Sequence, residues 1–277
     1  MKLKYPLLLI ILLNCTQLHA GEVDSVDVFS KSMNKSFKCI VITPDSYQKK
    51  NTTAYPVVYL LHGYSGWYSN WILRAPELKN YADQFQIMIV CPEGGYSSWY
   101  LDSPIDSSMR YETYVGKEVV QYIDKHYRTA KNRNMRAITG LSMGGHGALY
   151  IAWRNADLFG AAGSMSGGVD LEPLKKRAEI GKLLGDTLTQ AENWKNNSVI
   201  NMIEKAPTDS LHIMIDCGTE DYFFQINQNL HQKMLKLRIP HDYIERPGKH
   251  DWNYWRNAIV YQLTFFTKYF KAQKTSG

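Results

Sequence analysis

Gly140-Leu141-Ser142-Met143-Gly144 is the stretch on which the reading of this chain turns. It follows a short apolar run, Ala137 to Thr139, and precedes a helical pattern from Gly145 to Arg154. A strand that feeds a helix through a sharp turn leaves room only for small residues beside its apex. The GxSxG pattern supplies glycines at those positions and a serine at the apex, with its hydroxyl held clear of the backbone. The helix behind it points its N-terminus, the end that favours negative charge, at the same spot. Ser142 is therefore the candidate nucleophile.

Outward from this turn the chain alternates between two patterns. Pro56 to Leu61 and Ile87 to Val90 are unbroken apolar runs rich in Val and Ile, as expected of strands covered on both faces. Ala161 to Met165 and His212 to Ile215 read the same way, while helical spacing occupies Tyr114 to His126, Phe223 to Leu237 and Trp252 to Phe270. Ser25 to Ser32 and Phe37 to Thr43 alternate in polarity about Met33-Asn34, which predicts an opening hairpin. Strand and helix in alternation predict an α/β fold with a mostly parallel sheet flanked by helices. Gly167 to Ser210 is too long for a connection. It is expected to form a small helical cap insertion over the carboxyl ends of the strands, where ligands of such sheets bind.

A serine hydroxyl needs a base within hydrogen-bond reach and an acid to orient that base, in the chain order Ser, acid, His. His250, in Pro247-Gly248-Lys249-His250-Asp251-Trp252, leaves the last strand for the final helix and is the expected base. His231 reads as a solvated helix residue and His241 as a surface turn. The acid belongs after the strand at His212, where Asp216, Glu220 and Asp221 crowd together and Asp209 lies further off. Asp221 is the first choice, with Glu220 and Asp216 as alternatives. A tetrahedral oxyanion also needs donors: the backbone N–H of Met143, and that of Tyr64 in Leu61-His62-Gly63-Tyr64, where Gly63 permits close approach. His62 reads as a buried structural residue.

The 277 residues, 44% hydrophobic and 21% charged, have the balance of one globular domain, and no linker, repeat or low-complexity tract divides them. Lys2 and Lys4, the apolar run Tyr5 to Leu13 and the small Ala20 have the layout of a signal peptide over residues 1–20, so an exported protein, periplasmic or extracellular, is expected. A lipoprotein signal ending at Cys15 is the alternative. The run is too short for a transmembrane anchor. Removing residues 1–20 takes away two lysines and no acids, so a formal charge of +6 becomes +4. The excess is scattered, which argues against nucleic acid as a partner. Cys39, Cys91 and Cys217 are too widely spaced for a disulfide framework, although one bridge among them is compatible with an oxidising compartment. No spacing suggests a metal, and no cofactor is expected.

Further motifs, Ser98-Trp99-Tyr100-Leu101-Asp102, Tyr111-Glu112-Thr113-Tyr114, Cys217-Gly218-Thr219-Glu220-Asp221 and His250-Asp251-Trp252, join those above. Over roughly Tyr55 to Phe270 the sequence resembles the esterase D superfamily of α/β-hydrolases. That superfamily groups acetyl and feruloyl esterases, tributyrin esterases, S-formylglutathione hydrolases and mycolyltransferases. The resemblance implies an α/β-hydrolase fold, a Ser142, Asp221, His250 triad, an oxyanion hole at Tyr64 and Met143, and Trp99 and Tyr100 near the pocket. Trp67, Trp71, Trp99, Trp252 and Trp255 lie beside these motifs. Trp99, Tyr100 and Trp255 are expected to bind substrate, although packing under loops explains such tryptophans equally well.

The expected activity is that of a serine carboxylesterase removing short acyl or hydroxycinnamoyl groups from a small-molecule or glycan ester. A thioesterase of the S-formylglutathione hydrolase type and an acyltransferase of the mycolyltransferase type are the enzymatic alternatives. A non-catalytic binding protein is disfavoured by a complete Ser, Asp and His set.

Overall fold

The computed structural model describes residues 22–48, 52–205 and 211–275. The segment read as a signal peptide, with Cys15, lies outside the described residues, as does Asp209. The strands β1 (Glu22–Ser30), β2 (Lys35–Thr43), β3 (Val57–Leu61), β4 (Met88–Pro92), β5 (Arg136–Gly140), β6 (Ala161–Met165), β7 (His212–Gly218) and β8 (Asp242–Arg246) form one sheet. Their order is β1-β2-β4-β3-β5-β6-β7-β8. β1 with β2, and β2 with β4, are antiparallel, and every pair from β4 to β8 is parallel.

The unbroken apolar runs are explained by what covers the sheet. Val57, Tyr59 and Leu61 of β3 join one core cluster, and Val58 and Leu60 join another. Successive side chains point to opposite faces, so both parities must be apolar when both faces are buried. Helices Met143–Arg154 and Phe224–Lys236 supply the first cluster, and Leu78–Phe85 and Trp252–Thr275 the second. The same parity separates two cysteines on neighbouring strands: Cys39 is in one cluster and Cys91 in the other. Cys39, Cys91 and Cys217 are free, buried thiols.

One helix departs from expectation. The segment read as starting at Tyr114 begins at Tyr111, is π-helical over Tyr114–Val119 and is α-helical over Val120–His126. A wider turn of this kind leaves no mark on a 3.6-residue pattern.

The chain passes from β3 outward to β4 and returns to β5 on β3's other side, so the strand order reverses between β3 and β5. That reversal opens a crevice at the carboxyl ends of the strands. β3 ends there in His62-Gly63-Tyr64 and β5 in Leu141-Ser142. After β6, the insertion runs through the short helices Glu172–Leu174, Ala178–Leu184, Ala191–Asn196 and Val199–Met202. Side-chain hydrogen bonds tie it down: Tyr150 Oη donates to Asn197 Oδ1 (2.7 Å) and Ser103 Oγ to the Leu183 carbonyl (2.6 Å).

Candidate active site

Ser142 sits at φ 55°, ψ −115°, a conformation an L-residue adopts at a cost on the order of 1–3 kcal/mol. The surroundings impose it. Ser142 N–H donates to the Met165 carbonyl (2.9 Å), and its own carbonyl accepts from His146 N–H (3.1 Å) and Gly168 N–H (3.2 Å). The flanking glycines answer a steric demand. A Cβ on Gly144 would come within 2.5 Å of the His62 carbonyl oxygen, and one on Gly140 within 2.6 Å of the Gly144 carbonyl oxygen.

His250 Nε2 lies 2.9 Å from Ser142 Oγ, and His250 Nδ1 lies 2.9 Å from each oxygen of Asp221. Asp221 Oδ1 also accepts from Phe223 N–H (2.7 Å), so a carboxylate whose side chain is fully buried has its charge satisfied. The imidazole is walled in by the rings of Tyr222, Phe223 and Trp255, with centroids at 4.1, 5.2 and 4.9 Å. The other acids are engaged elsewhere. Asp216, fully buried, accepts from Arg246 Nη2 (2.6 Å) and from the Tyr254 hydroxyl. Burial raises its carboxyl above the usual range despite both partners. Glu220 is exposed and lies 3.8 Å from Lys249 Nζ.

Opposite the serine, the turn after β3 is fixed by His62. Its Nε2 accepts from Gly94 N–H (2.8 Å), so the ring proton resides on Nδ1 and is donated to the Gly63 carbonyl (2.8 Å). Gly66 N–H reaches the same carbonyl (3.0 Å). Gly63 lies beside Ser142, and a Cβ there would meet Leu141 Cδ1 at 2.5 Å. Among the described residues, neither the Tyr64 nor the Met143 N–H has a hydrogen-bond partner. A cavity of about 170 Å³ opens over these groups, bounded by Tyr64, Trp99, Ser142, Phe223, His250 and Trp255.

The sequence profile of the putative esterase family matches residues 30–266. The chain belongs to that family. The esterase is 24% identical over 261 residues to an acetyl esterase of Caldicellulosiruptor saccharolyticus, spanning 88% of this chain and 97% of that one. A solved ferulic acid esterase is 30% identical, with a TM-score of 0.79 over 91% of this chain and 99% of that one. A Staphylococcus aureus S-formylglutathione hydrolase superposes with a TM-score of 0.77 at 22% identity, over 90% of this chain and 100% of that one. The fold is that of the α/β-hydrolases, and the protein is a hydrolase of carboxylic esters.

The esterase departs from the sequence reading at its aromatic residues. Tyr100, expected to touch substrate, is fully buried and does not line the cavity. Its hydroxyl donates to the His62 carbonyl (3.0 Å), and its ring fills the space left by Gly94 and Gly147. Trp99 and Trp255 do line the cavity, although Trp99 is otherwise sealed in beside His146, with ring centroids at 5.5 Å. Trp71 is core, donating Nε1–H to the Leu61 carbonyl (2.9 Å), and Trp67 is exposed.

Four lining residues were not anticipated: Asn70, Arg177, Tyr222 and Phe223. Tyr222 and Phe223 directly follow Asp221, which was the available signal. Arg177 comes from the insertion, where no motif marks it. His146 also escaped notice. It is fully buried on the helix after Ser142, with Nδ1 3.2 Å from the Trp99 carbonyl and Nε2 2.9 Å from the Asn197 carbonyl. Burial pushes its imidazole down to about 4.

Proposed function

We propose that this esterase is an exported serine carboxylesterase that cleaves short acyl or hydroxycinnamoyl esters, on small alcohols or glycans, through an acyl-enzyme. The observation that carries the reading is the continuous chain Ser142 Oγ, His250 Nε2, His250 Nδ1, Asp221 at 2.9 Å per step, opening into the cavity.

His250 takes the Ser142 proton as Oγ attacks the ester carbon, and Asp221 holds the Nδ1 proton and stabilises the imidazolium that forms. The carbonyl oxygen acquires charge between the free N–H groups of Tyr64 and Met143. His250 then delivers its proton to the departing alcohol, leaving the acyl group on Ser142. Water, deprotonated by the same imidazole, attacks that acyl group, and the imidazolium returns the proton to Ser142 Oγ as its bond to the acyl carbon breaks and the acid leaves.

A cavity of about 170 Å³ is small beside the ~300–1,000 Å³ of pockets for drug-sized ligands, which favours short acyl groups. Identity to a ferulic acid esterase supports the hydroxycinnamoyl alternative. The layout of residues 1–20 supports export, with the Cys15 lipoprotein form as the variant reading.

The test is a panel on the purified protein: p-nitrophenyl acetate, butyrate and octanoate, methyl ferulate, acetylated xylan and S-formylglutathione. Acetyl and butyryl esters are expected to exceed octanoate in kcat/KM, with S-formylglutathione no better than the acetate. A clear preference for S-formylglutathione would replace this reading with the thioesterase one.

A further inference from the structure

Among the described residues that line the cavity, Arg177 is the one fixed charge. It stands where the insertion turns into the helix Ala178–Leu184. Among the described residues its guanidinium forms no ion pair, and the acids of the stretch before Tyr222 have partners of their own. Asp221 is held by His250 (2.9 Å), Asp216 by Arg246 (2.6 Å) and Glu220 by Lys249 (3.8 Å). Glu179, two residues on, faces the Tyr64 hydroxyl. Arg177 also lies near enough to Tyr222, whose ring is tilted 34° against that of His250, to favour that phenol's ionised form against burial and Asp221.

An esterase that needed only to admit a neutral acetyl or aryl group would gain nothing from a half-buried, unpaired guanidinium at its mouth. Partial burial strips water from the cation, and a planar fork of N–H donors is matched best by a carboxylate. The carboxylate nearest Ser142, that of Asp221, has no exposed side-chain surface and is held by Phe223 N–H (2.7 Å) and His250 Nδ1 (2.9 Å), so among the described residues no acid side chain lines the cavity beside Arg177.

We infer that Arg177 is a specificity-determining residue, and that the preferred substrates are esters carrying a carboxylate a few bonds from the scissile carbonyl. This rests on the serine-esterase reading above and adds the substrate class to it. The carboxylate can belong to the acyl part, as in a dicarboxylic half-ester, or to the alcohol part, as in an acylated uronic acid.

Two matched pairs separate these sources. Monomethyl succinate against methyl succinamate places the charge on the acyl side, and 3-carboxyphenyl acetate against 3-carbamoylphenyl acetate places it on the alcohol side. In each pair an amide of nearly the same shape replaces the carboxylate, and the readout is the ratio of kcat/KM for the charged ester to that for its neutral partner. In at least one pair, Arg177→Gln should lower that ratio about tenfold, Arg177→Lys should lower it less, and added salt should erode it in the wild type. A ratio unchanged by Arg177→Gln in both pairs overturns the inference. So does an equal loss on charged and neutral members, which would make Arg177 a support for Tyr222 and the insertion. A wild type that hydrolyses none of the four esters would instead sink the serine-esterase reading itself.

Discussion

Acidification should loosen the seam between the insertion and the catalytic helix through a single buried ring. His146 is wedged between the carbonyls of Trp99 and Asn197, with its imidazole depressed by burial from 6.5 to about 4. Because the folded value lies below the unfolded one, the unfolded chain binds a proton that the fold refuses throughout that interval. The stability is therefore whole above pH 6.5, is lost as the pH falls toward 4, and levels off below it. Each pH unit of such imbalance is worth about 1.4 kcal/mol, so the descent costs about 3 kcal/mol in all. That is a large share of the ~5–15 kcal/mol that holds a typical domain together. Urea unfolding followed by tryptophan fluorescence, at pH 7, 5.5 and 4, would measure it in the wild type and in His146→Gln. Burial also lowers His212 and His231, but both remain in either protein and cancel in the comparison. Wild type should lose about 3 kcal/mol more than the variant between pH 7 and 4. Parallel losses would refute the assignment to His146.

Four further outcomes follow from the geometry. Ser142→Ala should abolish turnover and labelling by a fluorophosphonate probe while leaving the unfolding midpoint near that of the wild type; residual labelling would point to another nucleophile. Asp221→Asn should cut kcat by roughly 10⁴ through loss of tautomer control. Asp216→Asn should instead cost about 2 kcal/mol of stability, from its bonds to Arg246 and Tyr254, with a smaller effect on kcat, and the reverse pattern would exchange their roles. Gly144→Ala should yield protein that binds no fluorophosphonate, since its Cβ would meet the His62 carbonyl oxygen at 2.5 Å; full labelling of that variant would show that the turn can shift.

The features legible in the sequence are those fixed by local chemistry. GxSxG specifies a turn whose neighbours must be small, and apolar runs such as Pro56 to Leu61 declare burial on both faces. The sheet and the elbow could accordingly be placed from sequence alone. Choosing among Asp216, Glu220 and Asp221 was harder, because all three precede the helix Phe224–Lys236 and only distance to His250 separates them. Tyr100 was misread for a related reason. Trp99 and Tyr100 both have positive φ, at 51° and 59°. Two such residues in succession break the simple alternation of side-chain directions, so one ring reaches the cavity and the next sinks into the core. Arg177 and His146 depend on how the insertion lies against the sheet, and such long-range packing leaves no periodic trace.

The division of labour around Ser142 bears on how such an enzyme can be changed. The turn at Ser142 is built from backbone packed against backbone, at Gly140 and Gly144, where almost no substitution fits. Arg177 is carried by the insertion, which side-chain bonds such as that from Tyr150 Oη to Asn197 Oδ1 tie to the helix behind Ser142, and Tyr222 by the loop after β7. Selection, natural or in the laboratory, can therefore rewrite substrate preference by exchanging the segment between Val169 and Lys205 while the machinery beneath it stays untouched. A library confined to that segment should retain a high fraction of active members, each with its own preference.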